Sequence, residues 1–351
     1  LIKKKNGNYK LNTSILNYHM ALNGKFTNKL INLFGKPRSK SELFNQKHRD
    51  IAASVQSAFE DVVIHMLAWV KSNYPDYKNL CLAGGCALNV TANGKIISNK
   101  LFENIFIPPS PHDAGCAVGA TFLAQKKYSK LVNNSFSMHS AYLGPIYSDS
   151  KIADAFKKYD TLVPTKLSDY ELIDYAAKKL SEGRIIAWYQ NASEFGPRAL
   201  GNRSFLADPR NDAIREIINE KIKKRELFRP FAPSCKIEVK EKFFDIRQNS
   251  PFMNMVANVK SDKRKIIPAV THIDGTARVH TVNKESNELY WMLINRFEEI
   301  TGVGVLLNTS FNIQEPIVET PEDAINCFLK SKVDILVIGN YVYNRFEKSK
   351  K

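Results

Sequence analysis

Residues 79–96 read NLCLAGGCALNVTANGKI, and residues 103–125 read ENIFIPPSPHDAGCAVGATFLAQ. In the first stretch, the apolar run over residues 80–83 predicts a short buried strand, Gly84-Gly85 a tight turn, and a helix after that turn. The second repeats the scheme. A strand near residues 105–107 meets a proline-rich turn, and a helix rich in small residues starts at Ala114. Strand–turn–helix units in series define an α/β layer architecture.

Upstream, IAASVQSAFEDVVIHMLAWVKSNYP (51–75) carries apolar residues at helical spacing, with Asp50 as its expected cap and Pro75 at its end. Residues 1–50 lack periodicity and read as irregular connection. Downstream, the polar stretch over 127–150 breaks the pattern, and a boundary is expected near residue 145. That gives two domains, 1–145 and 146–351, as the length of 351 residues predicts at about 150 per domain. In the second, Ser168 and Glu171 form a capping box on a helix that stops at Gly183. Strand RIIAWYQ (184–190), a helical run over 211–225 and a β-leaning region over 250–283 come next. Then come a helix (285–302), strand VGVLLNTS (303–310), a helix started by Pro321, and a last strand, VDILVIG (333–339).

Hydrophobic residues are 44% of the chain and charged residues 25%, which excludes a disordered or collagen-like protein. No stretch approaches the ~20 apolar residues of a membrane span. A net charge of +16 favours anionic partners, without choosing between nucleic acid, a membrane surface and small phosphorylated molecules. The five cysteines are irregularly spaced and lack a CxxC pair, which suits a reducing cytoplasm. The chain opens on Leu1 in a polar segment, so it is expected to be the later part of a longer protein.

Five places carry candidate chemistry. Gly84, Gly85 and Asn89 sit at a strand-to-helix turn, where backbone amides can meet a phosphate; plain turn geometry explains the glycines equally. Asp113 stands just before a helix, as an N-cap or as a metal ligand. Arg198 and Arg203 flank glycines in EFGPRALGNRSFLADPR (194–210), a constrained loop suited to an anion. Lys223, Arg225 and Arg229 run into the apolar PFAP segment. Arg278, in DGTAR, and Asn308, Ser310 and Asn312, after an apolar strand, lie where ligands of open α/β sheets collect, or cap local backbone. A GxSxG elbow and a P-loop are both absent from the sequence.

The runs LAGGCALNVTANGKI, PPSPHDAGCAVGA, EFGPRALGNRSFLADPR, KKRELFRPFAP, DGTAR and LLNTSFN-x-x-EPIVETPEDAI resemble the O-carbamoyltransferases of nodulation-factor, cephamycin and aminoglycoside biosynthesis. The resemblance implies the C-terminal half of an actin/Hsp70-like ATPase-fold domain followed by a YrdC-like α/β domain. It implies that carbamoyl phosphate and ATP form carbamoyl adenylate, and that the carbamoyl group passes to a hydroxyl of a small-molecule or glycoside acceptor. Lys223-x-Arg225 and Ser310-x-Asn312 match the KxR and SxN signatures that hold phosphates, with Arg198, Arg203, Arg229 and Arg278 completing the anion pocket. Gly84, Gly85 and Asn89 match a nucleotide-contacting run, and Asp113 a metal-ligating aspartate, with Fe(II) as the metal and Mg(II) accompanying ATP. The family's two metal-binding histidines and early phosphate segment lie before the matched region. Asn191 stands where glycine is usual, Cys86 where valine is, and a glycine is missing between Gln314 and Glu315. A tRNA threonylcarbamoyl-type enzyme is the neighbouring reading. The EFGPRALGNRS run weighs against it, so nucleic acid is not expected. A non-catalytic, truncated nucleotide-binding module is the third.

Overall fold

The computed structural model describes residues 2–15, 26–128, 138 and 140–347. Much of the polar stretch before residue 145 (129–137 and 139) lies outside the described residues. Two compact units emerge: Leu1–Leu80 with Lys95–Ile105, and Cys81–Gly94 with Phe106–Lys351.

The first 50 residues hold more regular structure than their composition predicts. β1 (Ile2–Lys3) pairs antiparallel with β2 (Tyr9–Lys10), and α1 (Asn28–Phe34) is capped by Thr27. α2 spans Gln46–Asn73. Its cap is Asn45, not Asp50: the Asn45 side chain accepts from His48 N–H at 3.1 Å and His48 Nδ1 accepts from Asn45 N–H at 3.2 Å. That reciprocal box outcompetes an aspartate one turn later. α2 is also long and apolar enough to cross a membrane, by length and composition alone. This corrects the expectation that no stretch comes near that limit; 17% of its apolar window is buried within the structure, and the helix carries Glu60, which pairs with Lys95 at 2.9 Å.

β3 (Asn79–Cys81) and β4 (Asn104–Phe106) form a two-stranded sheet. Between them a single 3-10 turn (Gly85–Leu88) leads into α3 (Val90–Ser98). α4 (Gly115–Tyr128) comes after the proline turn. Both strand–turn–helix units are therefore present where the sequence puts them.

The remaining elements build one mixed sheet. They are α5 (Asp149–Lys157), β5 (Thr165–Lys166), α6 (Asp169–Ser181), β6 (Ile186–Tyr189), β7 (Arg203–Ala207), α7 (Ala213–Ile217), β8 (Ala232–Lys236), α8 (Lys240–Phe243), β9 (Met255–Asn258), β10 (Thr276–Val282), α9 (Glu288–Thr301), β11 (Val305–Ser310), α10 (Pro321–Lys330), β12 (Ile335–Ile338) and β13 (Tyr341–Asn344). The strand order is β5-β13-β12-β6-β7-β11-β8-β10-β9. β12 runs parallel to β6 and β10 to β8, and the other neighbours are antiparallel. The strand at 333–339 is not the last. β13 comes after a turn at Gly339-Asn340 and pairs back onto β12. α6 packs on α9, α5 on α10, and their apolar faces meet the sheet in one continuous core around Trp188, Phe205, Phe297 and Phe328.

Candidate active site

α7 gives way to a π turn over Ile218–Ile222, closed by the Lys223 N–H on the Ile218 carbonyl at 2.8 Å. Lys224 then adopts a left-handed φ of 47°, and the chain doubles back so that Lys223 and Arg225 both reach one cavity. Its lining is Lys223, Arg225, Arg229, Ser310, Asn312 and their neighbours, with a volume of about 420 Å³. The Lys223 ammonium is buried. It donates to the Ser310 carbonyl and Oγ (3.1 Å), and to the carbonyl and Oδ1 of Asn312, both at 2.7 Å. Burial, with Arg225 adding repulsion, lowers this amine to about 7. β11 delivers Ser310 at its end. Ser310 Oγ donates to Asn312 Oδ1 at 2.7 Å. Glu315 closes the loop by accepting from the amides of Ile313 and Gln314, each at 3.0 Å. Burial would raise that carboxyl, but the hydrogen bonds prevail and hold it at about 2.

The arginines divide. Arg225 donates from Nε to Asn219 Oδ1 at 2.7 Å and lies over the Phe231 ring at 5.0 Å. Arg229 pairs with Glu226 at the cavity rim, 2.8 Å away. Arg278 is lowered to about 9 by burial and by the like charges of Arg198 and Arg225, and burial lowers Arg198 too. Arg278 Nε is buried without a partner, and among the described residues no carboxylate pairs with Arg198 or Arg278. Two neighbouring guanidiniums, Arg198 and Arg278, without a paired carboxylate cost free energy that a bound polyanion would offset.

Arg203 does not join them. It is fully buried at the start of β7, with Nη1 donating to the carbonyls of Gln190 (2.6 Å), Asn191 (3.1 Å) and Asn202 (3.1 Å). Its guanidinium stacks on Tyr189 at 3.6 Å and stands 4.0 Å from Glu319. Asn308 is likewise buried, donating to the Ala199 carbonyl at 3.1 Å and to Ser234 Oγ at 3.0 Å, so its side chain ties β11 to the arginine loop and to β8. That loop hangs on Glu194, whose Oε1 accepts from the amides of Leu200 (2.7 Å), Asn202 (2.8 Å) and Arg203 (3.2 Å). Neither Glu194 nor Asn219 stands out in the sequence. For Asn219 the available signal is its place four residues before Lys223, hence on the same helical face.

A second cavity, about 650 Å³ and mostly apolar, is lined by Gly84, Pro108, Pro111, His112, Asp113 and Phe122 among others. Gly84 has φ 96°, and a Cβ at Gly84 or Gly85 would meet nothing within 4 Å, so the backbone there is open to a ligand. Gly85 and Asn89 lie outside this lining; Asn89 accepts from the Ala92 N–H at 3.0 Å and so caps α3. Asp113 is exposed, and its neighbour His112 accepts from the Ala114 N–H at 3.1 Å through Nδ1. Among the described residues no group of three or more His, Cys, Asp and Glu side chains is placed to hold a metal. Asp113 alone does not make a resident metal site.

The sequence carries two family signatures: Carbamoyltransferase N-terminus over residues 1–122 and Carbamoyltransferase C-terminus over 177–345. The chain belongs to the carbamoyltransferase family. It is 40% identical to an uncharacterized protein of Synechocystis over 97% of this chain and 59% of that one. It is 42% identical to nodulation protein NolNO of Sinorhizobium fredii over 88% of this chain and 46% of that one. Nodulation protein NolO of Bradyrhizobium diazoefficiens is 41% identical, over 88% and 57%. The chain thus spans about half the length of the curated relatives it matches. Among solved structures, P. abyssi Sua5 complexed with L-threonine aligns over 50% of this chain and 48% of that one, at 16% identity and TM-score 0.37.

Proposed function

We propose that the chain carries out carbamoyl transfer, with carbamoyl phosphate activated by ATP in the cation pocket and the carbamoyl group passed on to a hydroxyl. The carrying observation is the concentration of cations: Lys223 and Arg225 line one cavity, and Arg278, which no carboxylate pairs among the described residues, feels the charges of both Arg225 and Arg198. Carbamoyl phosphate is small, doubly charged and rich in acceptors, and a pocket of about 420 Å³ accommodates it. Atoms balance if water releases phosphate from carbamoyl phosphate, the carbamate oxygen attacks the α-phosphorus of ATP, and pyrophosphate leaves. Lys223 and the arginines then stabilise charge on the departing oxygens. ATP, with its Mg(II), is the co-substrate in this reading. The open backbone at Gly84 would meet the nucleotide end of the carbamoyl adenylate at the later transfer step, and the acceptor is a hydroxylated small molecule.

The two family signatures leave residues 123–176 between them, and this interval contains the break near residue 145, which supports a division into a transfer half and an activating, YrdC-like half. Five unpaired cysteines support a cytoplasmic location. The test is pyrophosphate release that depends on carbamoyl phosphate. Arg225→Ala and Ser310→Ala should each reduce it by about a hundredfold or more, from the loss of hydrogen bonds to a charged group. Unchanged release in both variants would overturn the assignment.

A further inference from the structure

We propose that Asn219 is a positioning residue of the cation pocket, fixing where Arg225 presents its charge and so setting the affinity for a phosphorylated donor. The inference rests on the pocket reading given above. Asn219 is completely buried within the π turn. One side chain there serves three residues of the cavity-forming segment. Oδ1 accepts from Arg225 Nε at 2.7 Å, and Nδ2 donates to the carbonyls of Arg229 at 2.9 Å and Leu227 at 3.3 Å. Its backbone carbonyl also accepts from the Arg225 N–H at 3.0 Å. A carboxamide is the group that fits this place, because it offers an acceptor and two donors in one plane.

The geometry leaves Arg225 with a defined task. Nε is taken by Asn219 and one face of the guanidinium lies over Phe231, while the terminal nitrogens have no partner among the described residues. A guanidinium pinned at Nε loses less freedom when its two terminal nitrogens grip an anion side by side. The π turn makes this possible. Its wider ring turns Asn219 and Lys223 inward, and the left-handed Lys224 brings Arg225 back over Asn219.

The test titrates carbamoyl phosphate and, separately, inorganic phosphate into the wild-type chain, Asn219→Ala, Arg225→Ala and the double variant by calorimetry. Melting temperatures are recorded alongside. Asn219→Ala should weaken binding by about tenfold or more, the scale of one hydrogen bond to a charged group. In the Arg225→Ala background it should add less than about twofold, because the two act as one unit. Asn219→Asp keeps the acceptor for Arg225 Nε but offers no donor to the Arg229 and Leu227 carbonyls, so the melting temperatures recorded alongside separate a loss of binding from a loss of fold. It sets a carboxylate against Arg225, neutralises its charge, and should also weaken binding by about tenfold. Wild-type affinity in Asn219→Asp, or an equal loss from Asn219→Ala with and without Arg225, would overturn the inference. A wild-type chain that binds neither anion would instead overturn the pocket reading beneath it.

Discussion

Burial lowers the Lys223 amine to about 7, from an ordinary lysine value near 10.5. The pocket needs the ammonium to hold an anion, so phosphate affinity should be highest below about pH 7 and fall as pH rises through it. Titration of carbamoyl phosphate at pH 6, 7 and 8 checks this; Lys223→Met should abolish the trend. For stability the sign is opposite. Between about 7 and 10.5 the unfolded chain binds a proton that the folded one does not, so this residue's contribution to stability increases with pH across that window. Arg203 shows how far residue types can be read from sequence alone. Two arginines five apart in a glycine-rich loop give equal grounds for anion binding. Direction decides between them: Arg198 sits near Arg278, whereas Arg203 opens β7 and points into the core. Arg203→Ala should therefore cost stability, by about 3 kcal/mol or more as carbonyls are left unpaired. A melting temperature equal to the parent's would contradict that role.

Two backbone conformations fix the elements around the pocket. Gly201 has φ 103°, and a Cβ there would lie 2.2 Å from the Tyr290 ring. Gly201→Ala should lower the melting temperature markedly, combining left-handed strain with a clash that α9 cannot relieve. Lys224 is left-handed without being glycine, at a cost of about 1 kcal/mol. Lys224→Gly should recover about that amount in chemical denaturation, less the added freedom of the unfolded chain. Elements with strong caps are legible in the sequence. The Ser168–Glu171 box opens α6, and Pro321 opens α10 with Thr320 and Asp323 as its box. β13 is harder to see because its four residues come after β12 with only Gly339-Asn340 between. That dipeptide, with Gly339 at φ 55° and the alternating Tyr-Val-Tyr after it, is a hairpin signal that a continuous apolar strand overshadows. α1, β1 and β2 escape a reading by pattern because such short elements carry no period to detect.

For the whole molecule, a net charge of +16 gives any long polyanion a non-specific foothold. The proposed function predicts two different salt responses. Retention of RNA should collapse between about 50 and 200 mM salt, by about a thousandfold if several phosphates are contacted. Carbamoyl phosphate, held in a buried pocket, should lose far less over the same range. RNA binding that survives salt as well as the small donor does would favour a nucleic-acid substrate. That the second half combines helices with strands is legible in its run of elements, whereas the mixture of parallel and antiparallel pairings is not. That Lys223 meets Ser310 and Asn312 is not legible either, because they lie 87 and 89 residues from it and come together only once the sheet has placed the end of β11.

The distribution of sulfur has a practical consequence. Cys81, Cys86 and Cys116 are exposed, whereas Cys235 and Cys327 are buried with thiols pushed well above their usual range. A maleimide dye added to the native fold should mark the outer three and spare the inner pair. Cys116 lines the larger cavity, so a fluorophore placed there samples that cavity directly, and on the proposed function its emission should change when ATP is added.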